Sequence, residues 1–158
     1  MYSFRITKYN PCFRNEKGIY TQTEEWTSIS DIGKIIFGKE FTMEAYLDIE
    51  QKYIQSVQLF IDEMKINDLK VSGLEIYEEN DVFISEGMKV NRHQALLIIQ
   101  KMLREELWCK LKQIGFEIHV GYDYYMYIVT KVKPQKTTIE KINQFGLFVE
   151  EVESPYLT

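Results

Sequence analysis

The stretch FEIHVGYDYYMYIVTKV, residues 116–132, decides how the rest of the chain is arranged. Its even positions are Phe116, Ile118, Val120, Tyr122, Tyr124, Met126 and Ile128, all apolar or aromatic. The odd positions are Glu117, His119, Gly121, Asp123, Tyr125, Tyr127 and Val129. Side chains alternate across a strand, so this period of two describes one face toward a core and one face away from it. The pattern runs unbroken through Gly121, which favours one long, bent strand. Tyr122 and Tyr124 then belong to the core, while Tyr125 and Tyr127 stand on the outer face in line with Asp123 and His119. The alternative is a hairpin turned at Gly121-Tyr122-Asp123, whose two arms would pair with each other.

Working outward, residues 91–114 follow a helical period through Ala95, Leu96, Ile99, Met102, Leu103, Leu107 and Leu111. Asn91 is the expected N-cap, with Gln94 three positions on, and Gly115 is placed to close the helix. A second helix is expected over residues 43–65, capped by Thr42, with Tyr46, Val57, Phe60 and Ile61 on its apolar stripe. Residues 2–9 alternate as a first strand ended by Asn10-Pro11, and Ser28 with Asp31 has capping-box spacing. Residues 69–77 read as a strand bulged at Gly73, and 82–85 as a short strand. A strand–helix–strand unit ends the chain: 116–132, a helix from Thr137 or Thr138 to Gly146, then 147–152. Its two strands are candidates for parallel neighbours. The fold class expected is α+β, a single mixed or antiparallel sheet packed against two long helices, in one domain spanning residues 1–158.

Bulk properties narrow the function classes. The chain carries 19 Lys and Arg against 24 Asp and Glu, a net charge of −5, which disfavours non-specific binding to duplex nucleic acid or an anionic bilayer. No apolar run is long enough to span a membrane, and MYSFRITKYNP lacks the layout of a signal peptide. Cys12 and Cys109 lie far apart without metal-ligand spacing, which reads as two reduced thiols in a cytoplasmic setting. No phosphate-cradling glycine loop, zinc motif or calcium loop occurs, so no cofactor and no metal are expected.

Chemistry has few candidates. Of the two histidines, His93 falls in the first turn of a helix and is expected to be solvated. His119 lies four strand positions from Asp123, roughly 13 Å by strand rise and too far for a direct pair unless the backbone folds at Gly121. Cys109 reads as a small buried hydrophobe, whereas Cys12 follows Pro11 on a loop. An enzyme or small-ligand reading would place a pocket around His119, Asp123 and Tyr125, with the loop that carries Cys12 and Trp26. The tyrosines could instead stack single-stranded nucleic acid, but Lys131 and Lys133 alone supply cations and only at the far end. The plainest account of Tyr125 and Tyr127 is that another segment of the chain, such as the 10–40 region, covers them.

The phrases YSFRITKYNP, EWTSISDIG, LWCKL, GYDYYMYI and GLFVE-x-x-x-SPY resemble those of small uncharacterised cytosolic proteins of low-GC Gram-positive bacteria. That resemblance covers nearly the whole chain; it implies a bacterial, cytoplasmic setting and carries no activity. The residues themselves lead to a non-enzymatic interaction module, with a toxin-neutralising immunity protein as its concrete version. Its partner would be another protein, such as a basic toxin. The acidic segment Glu75–Glu86, including Glu78, Glu79 and Asp81, would steer docking, and Tyr125, Tyr127, Asp123 and His119 would form the contact surface.

Overall fold

The computed structural model of the chain describes residues 1–78 and 83–158. Nine strands and three helices follow in the order β1 (Tyr2–Thr7), β2 (Ile35–Ile36), β3 (Lys39–Glu40), α1 (Met43–Glu63), β4 (Asp68–Ile76), β5 (Lys89–Asn91), α2 (Arg92–Leu103), β6 (Leu107–Gln113), β7 (Phe116–Val120), β8 (Met126–Thr130), α3 (Lys136–Gln144) and β9 (Phe148–Glu151). Seven strands make one antiparallel sheet in the order β5-β4-β6-β7-β8-β1-β9; β2 and β3 form a separate ribbon. The α+β class and the sheet packed against α1 and α2 agree with the sequence.

Local signals account for most element ends. Thr42 accepts the Ala45 N–H to start α1, and Asn91 with Gln94 forms a full capping box on α2. The strand pairing of β4 shifts register between Ser72 and Glu75, around Gly73 at φ +69. The Glu86 carboxylate caps that bulge, accepting the Gly73 and Leu74 N–H groups at 3.1 and 2.7 Å.

Five expectations are corrected. The helix from Asn91 stops at Leu103, and LWCKLKQ is strand β6, with Leu107, Cys109 and Leu111 inward. Gly115, at φ +80, belongs to the tight β6–β7 turn rather than to a helix end. Residues 116–130 are not one strand but the hairpin β7–β8, turned over residues 121–125. Strands β8 and β9 do run parallel, but β1 lies between them and pairs antiparallel with both. Residues 83–85 form no strand, and Val82 lies outside the described residues.

Register sorts the sheet into two faces. The row Val71, Leu111, Ile118, Ile128 and Phe4 crosses five strands and joins the core with Val57, Phe60, Ile98, Ile99 and Leu103 from the helices. Each such fully buried side chain contributes roughly 1.5–3 kcal/mol before ordering entropy is subtracted. The opposite face carries the row Lys110, His119, Tyr127, Arg5 and Glu150. Polar residues dominate it, yet it is not open to water. The segment after β9 folds back across it, where Ser154 meets His119, and Tyr156 packs against Trp108, His119 and Tyr127.

Candidate functional site

The turn over residues 121–125 explains the tyrosine cluster. Gly121 N–H donates to the Tyr125 carbonyl at 2.7 Å, and Tyr125 N–H to the Tyr122 carbonyl at 3.1 Å. Between them Asp123 and Tyr124 both adopt left-handed backbone, at φ +57 and +64. For a bulky residue such as tyrosine this costs on the order of 1–3 kcal/mol and persists only when its surroundings impose it. Here they do. The Tyr124 ring is driven into the core, 5.0 Å from Trp26, 5.1 Å from Tyr53 and 6.2 Å from Tyr46, meeting all three edge-on. Its hydroxyl donates to that of Tyr46, which donates in turn to Glu50. The carbonyls of the turn are tied down as well, with Tyr53 donating to Tyr124 O at 2.8 Å and Tyr9 to Asp123 O at 2.6 Å. With Tyr124 inside, Tyr122 and Asp123 are forced out.

The wall opposite comes from the α2–β6 junction. Arg104 caps α2, Glu105 takes φ +61, and the chain turns directly into β6. Trp108, beside Leu107, donates its indole N–H to the Val120 carbonyl at 2.8 Å, which fixes β6 to the end of β7. Tyr77, just past β4, closes the third side, since its N–H and that of Glu78 both donate to the Glu106 carbonyl.

These walls enclose a cavity of about 260 Å³, lined by Met102, Leu103, Leu107 and Val120, by the aromatic residues Tyr77, Trp108, Tyr122 and Tyr124, and by Glu105, Gly121 and Asp123. Tyr122 is 80% exposed and Tyr77 53%. Among the described residues, no lysine, arginine or histidine lines the cavity, whereas the carboxylates of Glu105 and Asp123 do. Glu75 stands beside it, accepting from the Tyr77 hydroxyl at 2.8 Å; burial and that carboxylate push the phenol up to about 12, so it remains a donor.

The residues expected at the surface divide sharply. Asp123 is exposed at the cavity, and Glu78 is exposed next to Tyr77. Glu79 and Asp81 lie outside the described residues. Tyr127 and His119 are corrections: they are 7% and 0% exposed, because the 152–158 segment covers their face of the sheet. Tyr125 is half-buried, its ring stacked 5.3 Å from Tyr9 and flanked by Arg5 and Arg14, with its hydroxyl accepting from Arg14. The chain itself covers Tyr127 and His119 and packs against much of Tyr125. Tyr122, assigned to the core by parity, is instead the most exposed tyrosine of the turn.

Among the described residues, His119 and Cys12 are not brought together with Asp123 and Tyr125. Both His119 nitrogens are engaged, Nε2 with Glu117 and Nδ1 with Ser154, each at 2.8 Å. A carboxylate only accepts, so Nε2 carries the proton and Nδ1 accepts from the serine hydroxyl. Burial lowers the imidazole from its usual value, against a smaller opposing pull from Glu117. Asp123 and Tyr125 share a shallow groove with Tyr9 and Glu25 that includes neither His119 nor Cys12. Cys12 is exposed; Cys109 is buried, which pushes its thiol up to about 12. Lys8 is lowered by burial to about 8, but Glu25 and the Tyr9 and Trp26 rings enclose its amine. Among the described residues, no three His, Cys, Asp or Glu side chains are placed to hold a metal, and no helix is long and apolar enough to cross a membrane.

Compared with known proteins, the chain matches no family model, no curated protein and no solved structure.

Proposed function

We propose that the chain is a non-enzymatic binding module whose working surface is the cavity between the 121–125 turn and the α2–β6 junction. Its partner is a basic protein, and neutralisation of a basic toxin in a bacterial cytoplasm is the concrete form of this reading. The observation that carries it is one apolar hollow flanked by two exposed tyrosines and lined, among the described residues, by carboxylates without a cation. Protein interfaces concentrate their energy in such places, where an aromatic-rich depression receives an anchor and surrounding charge governs approach. The size of the hollow argues in the same direction. At about 260 Å³ it falls below the roughly 300–1,000 Å³ of pockets that enclose drug-sized ligands, and a single side chain fills it better.

Replacing Tyr122 with a photo-crosslinking amino acid, in the cells that make the protein, tests the reading. Ile114, 98% exposed in the β6–β7 turn at the other end of β6, is the control position. The expected result is a basic protein crosslinked from position 122 and not from 114. Equal recovery from both positions, or crosslinked proteins without excess positive charge, overturns it.

A further inference from the structure

We infer that the cavity receives the side chain of a single arginine from the partner. This deepens the binding-module reading and rests on it. The lining divides into three parts that match the three parts of such a side chain. Met102, Leu103, Leu107 and Val120 suit an aliphatic stem. Tyr77, Trp108 and Tyr122 supply rings, and aromatic rings attract a cation, while the buried Tyr124 contributes to the floor. Glu105 and Asp123 supply acceptors: Glu105 accepts a long hydrogen bond from the Ser28 hydroxyl through Oε2 at 3.4 Å, and among the described residues nothing donates to the Asp123 carboxylate. The one indole N–H in the lining is already spent on the Val120 carbonyl, so Trp108 has no donor left for an anionic or carbonyl-bearing guest.

The same molecule shows this arrangement satisfied internally. The Lys8 ammonium lies 4.3 Å from the Tyr9 ring and 4.1 Å from the Trp26 ring, with Glu25 at 2.7 Å closing the third side. Arg5 and Arg14 both approach the Tyr125 ring and share Glu150. The cavity offers the same components without a resident cation among the described residues. Arginine is favoured over lysine because its guanidinium is planar, more weakly hydrated and able to stack and donate at once, which lowers the cost of entering a largely apolar hollow. An acidic guest would instead bring like charge against Glu105 and Asp123, both exposed at the rim of the hollow.

Titration of the full chain with N-acetyl-arginine methylamide, followed by proton–nitrogen NMR, tests the assignment. Saturable shifts are expected at the Trp108 indole and at the amides of residues 121–124. The lysine and norleucine methylamides should bind more weakly, by about five- to tenfold for norleucine, as expected when a cation–aromatic contact is lost. The pair Glu105→Gln and Asp123→Asn should erase the preference over norleucine while leaving the rest of the spectrum in place, since asparagine tolerates left-handed backbone. Equal binding of norleucine or lysine, unchanged arginine binding in the double variant, or no shift in the cavity residues overturns the assignment. If the Tyr122 crosslink to a basic protein survives such a result, the module reading stands and only the arginine fails. Arginine binding without that crosslink fails the module reading instead.

Discussion

The hydroxyl of Tyr53 reaches across from the middle of α1 to donate to the carbonyl of Tyr124 at 2.8 Å, while the two rings meet at 89°. The same hydroxyl accepts the Lys8 N–H at 2.7 Å, so one buried phenol ties β1 to the strained turn. Tyr53→Phe keeps the ring and strands both backbone groups. Unfolding in urea should show a loss of about 2–4 kcal/mol, from two unsatisfied buried groups. Hydrogen exchange at residues 121–125 should accelerate, and an unchanged rate there would show that the turn is held by Tyr124 alone.

Glu50 is buried yet charged, and its two oxygens take Arg104 through Nε and Nη2, both at 2.8 Å, together with Tyr46 and Gln100. Those donors hold its carboxyl below the usual range despite burial. Arg104→Ala should cost about 3 kcal/mol, because it leaves the carboxylate enclosed without its cation. Glu50→Gln in the same background should recover part of that loss, and chemical denaturation of the two variants measures both effects.

Gly121 has an ordinary backbone conformation, φ −89, so its need for glycine comes from space. A Cβ there would lie 2.7 Å from the Tyr156 hydroxyl oxygen and 3.2 Å from the Tyr125 carbonyl. Gly121→Ala should therefore destabilise by about 1–3 kcal/mol through overpacking. Much of that should vanish when combined with Tyr156→Ala, a non-additivity of about 1 kcal/mol in a double-mutant cycle. Additive costs would place the conflict within the turn itself.

His119 makes stability sensitive to mild acid. Its folded-state value is depressed by burial, so the unfolded chain takes up the proton first and folding is favoured at higher pH. The contribution is fully present above the ordinary value of 6.5 and is lost as pH falls from there through the folded value. Glu117 opposes the loss, while Lys110 and Lys112 add to it. The carboxylates Asp31, Glu50 and Glu86, all held low, titrate below this window. Thermal melts between pH 7.5 and 5.5 should show a decline that is smaller in His119→Gln, where no imidazole remains to charge.

The sequence made some of this arrangement legible and hid the rest for identifiable reasons. The caps at Thr42, Ser28 and Asn91 and the bulge at Gly73 depend on neighbours in the chain, and each stands where its local pattern placed it. Leu103, Leu107 and Leu111 satisfy a helical period, but Leu107, Cys109 and Leu111 equally satisfy a strand period. The break between helix and strand falls at Glu105, a residue that carries no turn signal. The even-position pattern could not separate strand from hairpin, because Val120 pairs with Met126 and a five-residue turn returns both arms in the same parity. Alternation told which face Tyr127 and His119 would take but not what covers it. That depended on Ser154 and Tyr156, remote in the chain and free of any periodic mark. The cavity was hidden for the same reason, since Tyr77, Glu105, Trp108 and Tyr122 converge only once β4, β6 and β7 are aligned.

Strand β1 lies inside the sheet, with both neighbours, β8 and β9, drawn from the far end of the chain. During synthesis Phe4 and Ile6 must therefore emerge unpaired and remain so while two helices and four other sheet strands are made ahead of β8. Until then the nascent chain presents an apolar segment with unpaired backbone groups to its surroundings, and such sequence-distant pairing slows closure. Its yield in a cell should depend more on chaperones that shield this first strand than on the stability of the finished sheet.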